Sequence, residues 1–211
     1  MTVIAPGHTK DGDFPMATKT APWSTTRPTA LIVLADGTVI EGKGIGAGGE
    51  AIGELCFNTA LTGYQEVLTD PSYAGQIVTF TFPHIGNVGA NDQDIEDLHP
   101  AARAGAVGAV FRADITNPSN YRSGGHLDGW LKRRGIVAIS GVDTRALTAL
   151  LREKGAANAV IAHNPDGAFD IEALKSKARE WSGLVGLDLA KEVTSGQSMG
   201  WTETPWGWDE G

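Results

Sequence analysis

Residues 57–87 read FNTALTGYQEVLTDPSYAGQIVTFTFPHIGN, and this stretch decides how the chain folds. Turn-forming residues punctuate it, in particular Gly63, the Asp-Pro-Ser run at 70–72, Gly75 and Gly86. Between the turns, residues 76–82 form a β-branched and aromatic run of strand length. Short polar side chains stand in the turns, as a surface for a small ligand or a partner requires. On composition alone, an ordinary turn-rich β segment is the alternative interpretation.

Strand and helix patterns extend outward from this stretch in both directions. Further strands are predicted at 31–34, 38–40, 54–58, 107–112, 136–140 and 159–162, with an Asp-Gly hairpin turn between the first two. Helices are predicted at 123–134, 144–154 and 170–181, the last of them burying Ile171, Leu174, Ala178 and Trp181. Many strands with helices concentrated in the second half predict a mixed α/β fold, in which helices cover one side of layered sheets.

The two ends differ in composition from the central part. Residues 1–29 are rich in Thr, Pro, Lys, Gly and Asp, so we expect a disordered leader there. Residues 195–211 carry three Trp and four Gly without periodicity, which predicts a loop or linker. One domain is therefore expected over residues 30–194.

Composition narrows the classes of function. The 211-residue chain has a net charge of −8, so it lacks the basic face of a nucleic-acid-binding protein. Its apolar runs are shorter than the roughly 20 residues that span a bilayer, and no membrane association is predicted. A single cysteine precludes an internal disulfide framework and suggests a reducing, cytoplasmic location.

The literal motifs in the opening stretch resemble one known family. FNT, TGYQE, LTDPSY and PHIGN occur in this order in the amino-terminal domain of the small, glutamine-hydrolysing subunit of carbamoyl phosphate synthetase. The resemblance runs over about residues 30 to 195 and includes VAISGVDTR at 137–145, LLREKG at 150–155 and DLAKEVT at 188–194.

The resemblance implies a fold and a function. The fold would be the swivelling β/β/α domain, followed in the family by a class I glutamine amidotransferase domain beyond the linker. The family subunit hydrolyses L-glutamine and passes ammonia to a large subunit, which uses ATP, magnesium and bicarbonate to make carbamoyl phosphate for the arginine and pyrimidine pathways. The large subunit is therefore the implied partner, and no cofactor is expected in this chain.

The residues themselves argue against hydrolysis by this chain alone. Amide hydrolysis of this class requires a cysteine nucleophile on a sharp turn, with a histidine base and a carboxylate. The single cysteine, Cys56, lies between the bulky Leu55 and Phe57 in a strand pattern, so it is interpreted as a buried structural thiol. No catalytic residue and no metal ligand are predicted.

One side chain is a candidate for binding substrate. By the resemblance, the Ser of LTDPSY contributes to the glutamine site, and the matching residue is Ser72. A hydroxyl after Asp-Pro sits on a rigid turn and can both donate and accept hydrogen bonds. Its alternative is an ST-turn in which the Ser72 hydroxyl bonds its own backbone. His84, in the PHIGN turn, is expected to make a structural hydrogen bond.

Three further patterns are interpreted as structural. Residues 44–49 match G-x-G-x-x-G, but no helix pattern follows, so a flexible loop between strands is expected rather than a dinucleotide site. Residues 143–145 (Asp-Thr-Arg) are read as a capped helix start. The chain carries no G-x-x-x-x-G-K-[ST] string, so phosphorylation chemistry is assigned to the large subunit.

Three hypotheses about function remain at this point. The chain is part of the glutaminase subunit, or an autonomous non-catalytic module that docks on the large subunit, or a free-standing small-ligand domain. The length of the motif match favours the first.

Overall fold

The computed structural model describes residues 27–96 and 105–188. In these two ranges the strands are β1 Ala30–Leu34, β2 Val39–Gly46, β3 Gly49–Asn58, β4 Gln76–Phe80, β5 Gly108–Val110, β6 Val137–Ser140 and β7 Ala157–His163. The helices are α1 Tyr64–Thr69, α2 Leu127–Arg134, α3 Thr144–Lys154 and α4 Ile171–Glu180, with a 3-10 turn at Pro71–Tyr73.

The strands close into a barrel in the order β1-β2-β6-β5-β4-β3-β7. Neighbouring strands from β3 through β4 and β5 to β6 run parallel, whereas β1, β2 and β7 pair antiparallel with their neighbours. The carboxyl ends of the four parallel strands therefore lie at the same end of the barrel, and the loops that follow them share one rim.

Alternation along the strands separates three apolar clusters. One face of the strands packs with α3 through Leu147 and Leu151. The opposite face of β4, β5 and β6 packs against α2 through Leu127, Trp130 and Leu131. Leu174 and Ala178 of α4 cover β1 and β7. The prediction of a mixed α/β fold is confirmed.

The starts of two helices are set by side chains that accept hydrogen bonds from the first N–H groups of the helix. α3 has the predicted bounds, because Asp143 Oδ1 accepts the N–H groups of Arg145 (3.2 Å) and Ala146 (3.1 Å). The predicted start of α2 at 123 is wrong: His126 Nδ1 accepts the N–H of Asp128 at 3.1 Å and caps a helix that begins at Leu127.

Two other details differ from the predictions. Ile171, expected to be buried, is 39% exposed, because α4 begins at this residue and turns only Leu174 and Ala178 towards the barrel. The short helix α1 was not predicted, since six residues carry less than two turns of periodicity. No helix among the described residues is long and apolar enough to cross a membrane.

The predictions for the two ends fall largely outside the described residues. Residues 1–26 of the predicted leader lie outside them, as does the whole predicted linker at 195–211.

Candidate functional site

The Ser72 turn is built by its neighbours rather than by the serine hydroxyl. Asp70 Oδ1 accepts the Ser72 N–H at 2.8 Å, and Pro71 begins the 3-10 turn with its fixed φ. The N–H of Tyr73 donates to the Asp70 carbonyl at 3.0 Å, and that of Ala74 donates to the Pro71 carbonyl at 3.0 Å. The backbone around Ser72 is thus held without the use of its side chain.

The Ser72 side chain is exposed. Within residues 27–96 and 105–188, no group bonds its hydroxyl. The ST-turn alternative therefore does not describe this turn, because the Asp70 carboxylate takes the place that the serine hydroxyl would hold. The hydroxyl keeps its donor and both acceptor positions for a ligand.

Two contacts connect this turn to the rest of the domain. Asn58, the last residue of β3, donates from Nδ2 to the Tyr73 hydroxyl oxygen at 3.0 Å. A Cβ built on Gly75 would stand 2.8 Å from Cδ2 of Leu184, so the Leu184 side chain lies directly against the turn. Within the described part of the chain, the last residues therefore lie on the same side of the domain as Ser72.

Cys56 occupies the environment of a structural thiol. It lies in β3, two residues before the strand ends, pairs with Val78 of β4 and packs against the apolar cluster beneath α2. Burial, with a smaller contribution from the Glu54 carboxylate, raises the pKa of Cys56 to about 11. A nucleophilic cysteine requires the opposite shift, because the thiolate is the reactive form.

His84 uses its backbone, not its ring, in the turn. Its carbonyl accepts the N–H of Asn87 at 3.4 Å, while the exposed imidazole meets the edge of Phe82 with 6.0 Å between ring centroids. The expected structural hydrogen bond is thus made by the main chain.

The glycines at 44–49 belong to strands. Gly44 and Gly46 lie in β2 and Gly49 begins β3, so the expectation of a flexible loop over these residues is wrong. Main-chain pairing with β6 and β7 holds them, and no helix follows that could receive a pyrophosphate. The strands are needed here to close the barrel.

The remaining candidate patterns give no metal centre. Asp143 caps α3, as predicted for the Asp-Thr-Arg triplet. Among residues 27–96 and 105–188, no three His, Cys, Asp or Glu side chains are placed to hold a metal ion.

The family of the chain follows from a direct comparison. The family model described as "Carbamoyl-phosphate synthase small chain, CPSase domain" matches residues 32–161. The chain belongs to this family. The match includes the Ser72 turn, Cys56 and, of the seven strands described, the whole of β2 to β6.

The curated relatives of the chain point to the same family. The carbamoyl phosphate synthase small chain of Mesorhizobium japonicum is 77% identical over 192 residues, which are 91% of this chain and 48% of that protein. The small chain of Agrobacterium fabrum is 72% identical over 194 residues, 92% of this chain and 48% of that protein. The chain thus spans about half the length of the curated relatives it matches.

A weak likeness to one solved structure adds nothing to this. An aminopeptidase from Aneurinibacillus sp. strain AM-1 aligns with a TM-score of 0.37 at 18% identity, covering 66% of this chain and 31% of that one. A likeness of this size carries no argument about function.

Proposed function

We propose that this chain is the part of a glutamine-dependent carbamoyl phosphate synthase small chain that contributes Ser72 to the glutamine site and contacts the large chain. The observation that carries the proposal is the exposed Ser72 hydroxyl, which stands on a turn held by Asp70 and has no partner among the described residues. A preorganised turn of this kind loses little conformational entropy when a ligand binds.

The proposed role of Ser72 is to bind and orient glutamine. Its hydroxyl can donate to the α-carboxylate of the ligand or accept from its α-ammonium group, and a hydrogen bond to a charged group contributes about 1.5–3 kcal/mol. Leu184 lies against Gly75, three residues after Ser72, so the last described residues come close to the Ser72 turn. A glutamine site in the cleft between the two domains is consistent with this placement.

Hydrolysis itself is assigned to another part of the protein. The only cysteine of this chain is Cys56, whose raised pKa and packing in β3 oppose a nucleophilic role. The relatives are about twice as long as their match to this chain, which leaves room for an amidotransferase domain. Ammonia released there would pass to the large chain, which would use ATP and magnesium to make carbamoyl phosphate in the cytoplasm, for arginine and pyrimidine synthesis.

The test is Ser72→Ala in the complete small chain assembled with its large chain. We expect the KM for glutamine to rise about tenfold or more, while the synthesis rate with added ammonia stays unchanged. Ser176→Ala on the exposed side of α4 is the matched control and should leave both rates unchanged. Unaltered glutamine kinetics in Ser72→Ala would reject the proposed role.

Variants of Asp70 add a second test. Asp70→Ala removes the acceptor of the Ser72 N–H and should impair glutamine use, because the turn is released. Asp70→Asn keeps an oxygen acceptor at the same place and should preserve most of the glutamine-dependent rate. Equal defects in both variants would mean that the charge of Asp70, and not the turn geometry, matters.

The second candidate is an autonomous module that docks on the large chain without any hydrolysis. This candidate is favoured because the single cysteine of the chain is structural, and a module that docks without hydrolysis needs no nucleophile. Glutaminase assays of the purified chain, alone and with the large chain, address both candidates. Ammonia release by the chain alone would contradict both.

A further inference from the structure

The hydroxyl of Tyr73, the residue after Ser72, is tied to the end of a neighbouring strand. Asn58, the last residue of β3, donates from Nδ2 to the Tyr73 hydroxyl oxygen at 3.0 Å. Asn58 belongs to the FNT motif and Tyr73 to the LTDPSY motif, and the two residues are 15 positions apart in sequence. The two motifs therefore meet at the residue next to Ser72.

The Asn58 side chain is itself held in one orientation. Its Oδ1 accepts the Ala60 N–H at 2.8 Å, and because a main-chain N–H can only donate, the other side-chain atom that faces Tyr73 is the amide nitrogen. The main-chain carbonyl of Asn58 accepts the Thr81 N–H at 3.1 Å, and Asn58 pairs with Phe80 of β4. Asn58 is thus a fixed point on the sheet.

The bond from Asn58 to Tyr73 closes the crossover between β3 and β4. This crossover joins two parallel strands and contains α1 and the 3-10 turn. Asn58 ends the first strand, and Tyr73 lies shortly before the second strand begins at Gln76. The Ser72 turn therefore cannot shift relative to the sheet without stretching this hydrogen bond.

Burial alone does not hold the 3-10 turn in place. None of its residues Pro71, Ser72 and Tyr73 is fully buried, although the half-buried Tyr73 ring packs against the apolar cluster beneath α2. Within residues 27–96 and 105–188, Tyr73 is the one residue of this turn whose side chain is hydrogen-bonded to another element. Its hydroxyl is therefore the side-chain group that fixes the turn against the sheet.

The direction of the Ser72 hydroxyl depends on the tilt of this turn. Ser72 and Tyr73 are joined by one peptide unit, so a rotation that moves Tyr73 moves Ser72 as well. Hydrogen bonds weaken steeply when donor and acceptor lose their alignment, and a displacement of about 1 Å in a site can lower its efficiency on the order of 10²-fold. A group that stops this rotation keeps the hydroxyl aimed at its ligand.

We propose that Tyr73 is a positioning residue for the glutamine site, which fixes the direction of the Ser72 hydroxyl through its hydrogen bond to Asn58. This inference rests on the proposed function, since it takes Ser72 to bind glutamine. Tyr73 requires no contact with glutamine in this role, because it acts through Ser72.

Tyr73→Phe in the complete small chain assembled with its large chain tests this role, since it keeps the ring and removes the hydroxyl. The KM for glutamine should rise about three- to tenfold, the range expected for the loss of one hydrogen bond, while the rate with added ammonia stays unchanged. In a Ser72→Ala background, Tyr73→Phe should raise the KM no further, because no hydroxyl is left to position. Additive effects of the two substitutions would overturn the proposal.

Variants of Asn58 test the other end of the bond. Asn58→Leu has a similar size but no donor, and it should raise the KM for glutamine as Tyr73→Phe does. Asn58→Asp should stay near the wild-type KM, because its carboxylate can accept both the Ala60 N–H and the Tyr73 hydroxyl, which turns to donate. Equal defects in Asn58→Leu and Asn58→Asp would contradict a role through the hydrogen bond to Tyr73.

Two other tyrosines separate positioning from a general loss of stability. Tyr64→Phe removes the hydroxyl that donates from α1 to the Gly89 carbonyl, so it should lower the melting temperature but leave the KM for glutamine unchanged. Tyr121→Phe alters a side chain that is 94% exposed and should change neither quantity. A KM in Tyr64→Phe raised as much as in Tyr73→Phe would overturn the positioning role in favour of a purely structural one.

Failure of this inference can be distinguished from failure of the proposed function. If Ser72→Ala leaves the KM for glutamine unchanged, the proposed function fails and the positioning role of Tyr73 fails with it. If Ser72→Ala raises the KM and Tyr73→Phe does not, only the positioning role is overturned.

Discussion

The ring of His163 lies directly over the backbone of Gly44, so that a Cβ built on Gly44 would stand 2.0 Å from Cδ2 of His163. The ring is held there because Nδ1 lies 3.0 Å from the carbonyl oxygen of Ala47 and must donate to it. This contact joins the end of β7 to the turn between β2 and β3. The glycine at this position of the G-x-G-x-x-G string is therefore required for packing.

Gly44→Ala should lower the free energy of unfolding by about 1–3 kcal/mol, because the added methyl group collides with a half-buried ring. Gly48→Ala is the control in the same glycine run, since its Cβ would approach nothing nearer than the His163 carbonyl oxygen at 3.8 Å. Chemical denaturation measures the free energy of unfolding of both variants. His163→Ala in the Gly44→Ala background should recover part of the loss, and full stability of Gly44→Ala would contradict this account.

The thiol of Cys56 should be slow to react in the folded protein. With a pKa of about 11, its thiolate fraction at pH 8 is on the order of 10²-fold below that of an ordinary thiol, and its position in β3 limits access further. Alkylation followed by mass spectrometry measures the rate, and denaturant provides the control by restoring ordinary reactivity. Rapid labelling of the native chain would show that Cys56 is accessible and activated.

Asp128 should make stability depend on pH in the acid range. Burial pushes its pKa upward, but the hydrogen bonds from Lys132 (2.7 Å) and from the Gly46 N–H (2.8 Å), with the Lys132 charge, bring the pKa below the usual value. A depressed folded-state pKa stabilises the protein above the unfolded value of about 3.9, and this contribution is lost as the pH falls through the folded pKa.

The variant that tests this is Asp128→Asn. It should be less stable than the wild type at pH 6, and the difference should shrink as the pH falls through the lowered pKa of Asp128, below which both side chains are neutral. Lys132→Gln should reproduce part of the same pH dependence of stability, because it removes the ammonium group that pairs with the Asp128 carboxylate. A difference that stays constant while the acid titration runs until the Asp128 carboxylate is protonated would show that Asp128 acts through shape and not through charge.

Elements with complete local signals could be predicted from the sequence. α3 has both its capping Asp143 and its terminating Gly155 within the segment, so its bounds were correct. The β1–β2 hairpin has the Asp-Gly dipeptide between its strands. The start of α2 could not be predicted, because capping by the His126 ring depends on the orientation of that side chain.

Part of the candidate site could also be predicted. Asp70, Pro71 and Ser72 are adjacent in sequence, so a rigid turn with a polar side chain follows from the residue types alone. Only the structure shows that the Asp70 carboxylate, and not the Ser72 hydroxyl, makes the side-chain hydrogen bond that closes the turn. The exposure of Leu61, Val88 and Tyr121 could not be predicted, since it depends on how the loops that carry them pack.

The sequence by itself determined the strands and helices that have local caps and turns, and it determined the Ser72 turn. It also determined membership of the family. Each of these depends on runs of residues that are close together in the chain. Only the tertiary structure decided that β7 closes the barrel between β1 and β3, and that His163 excludes any side chain at Gly44. These features arise from contacts between residues far apart in sequence, which form only when the apolar faces of the strands are buried together.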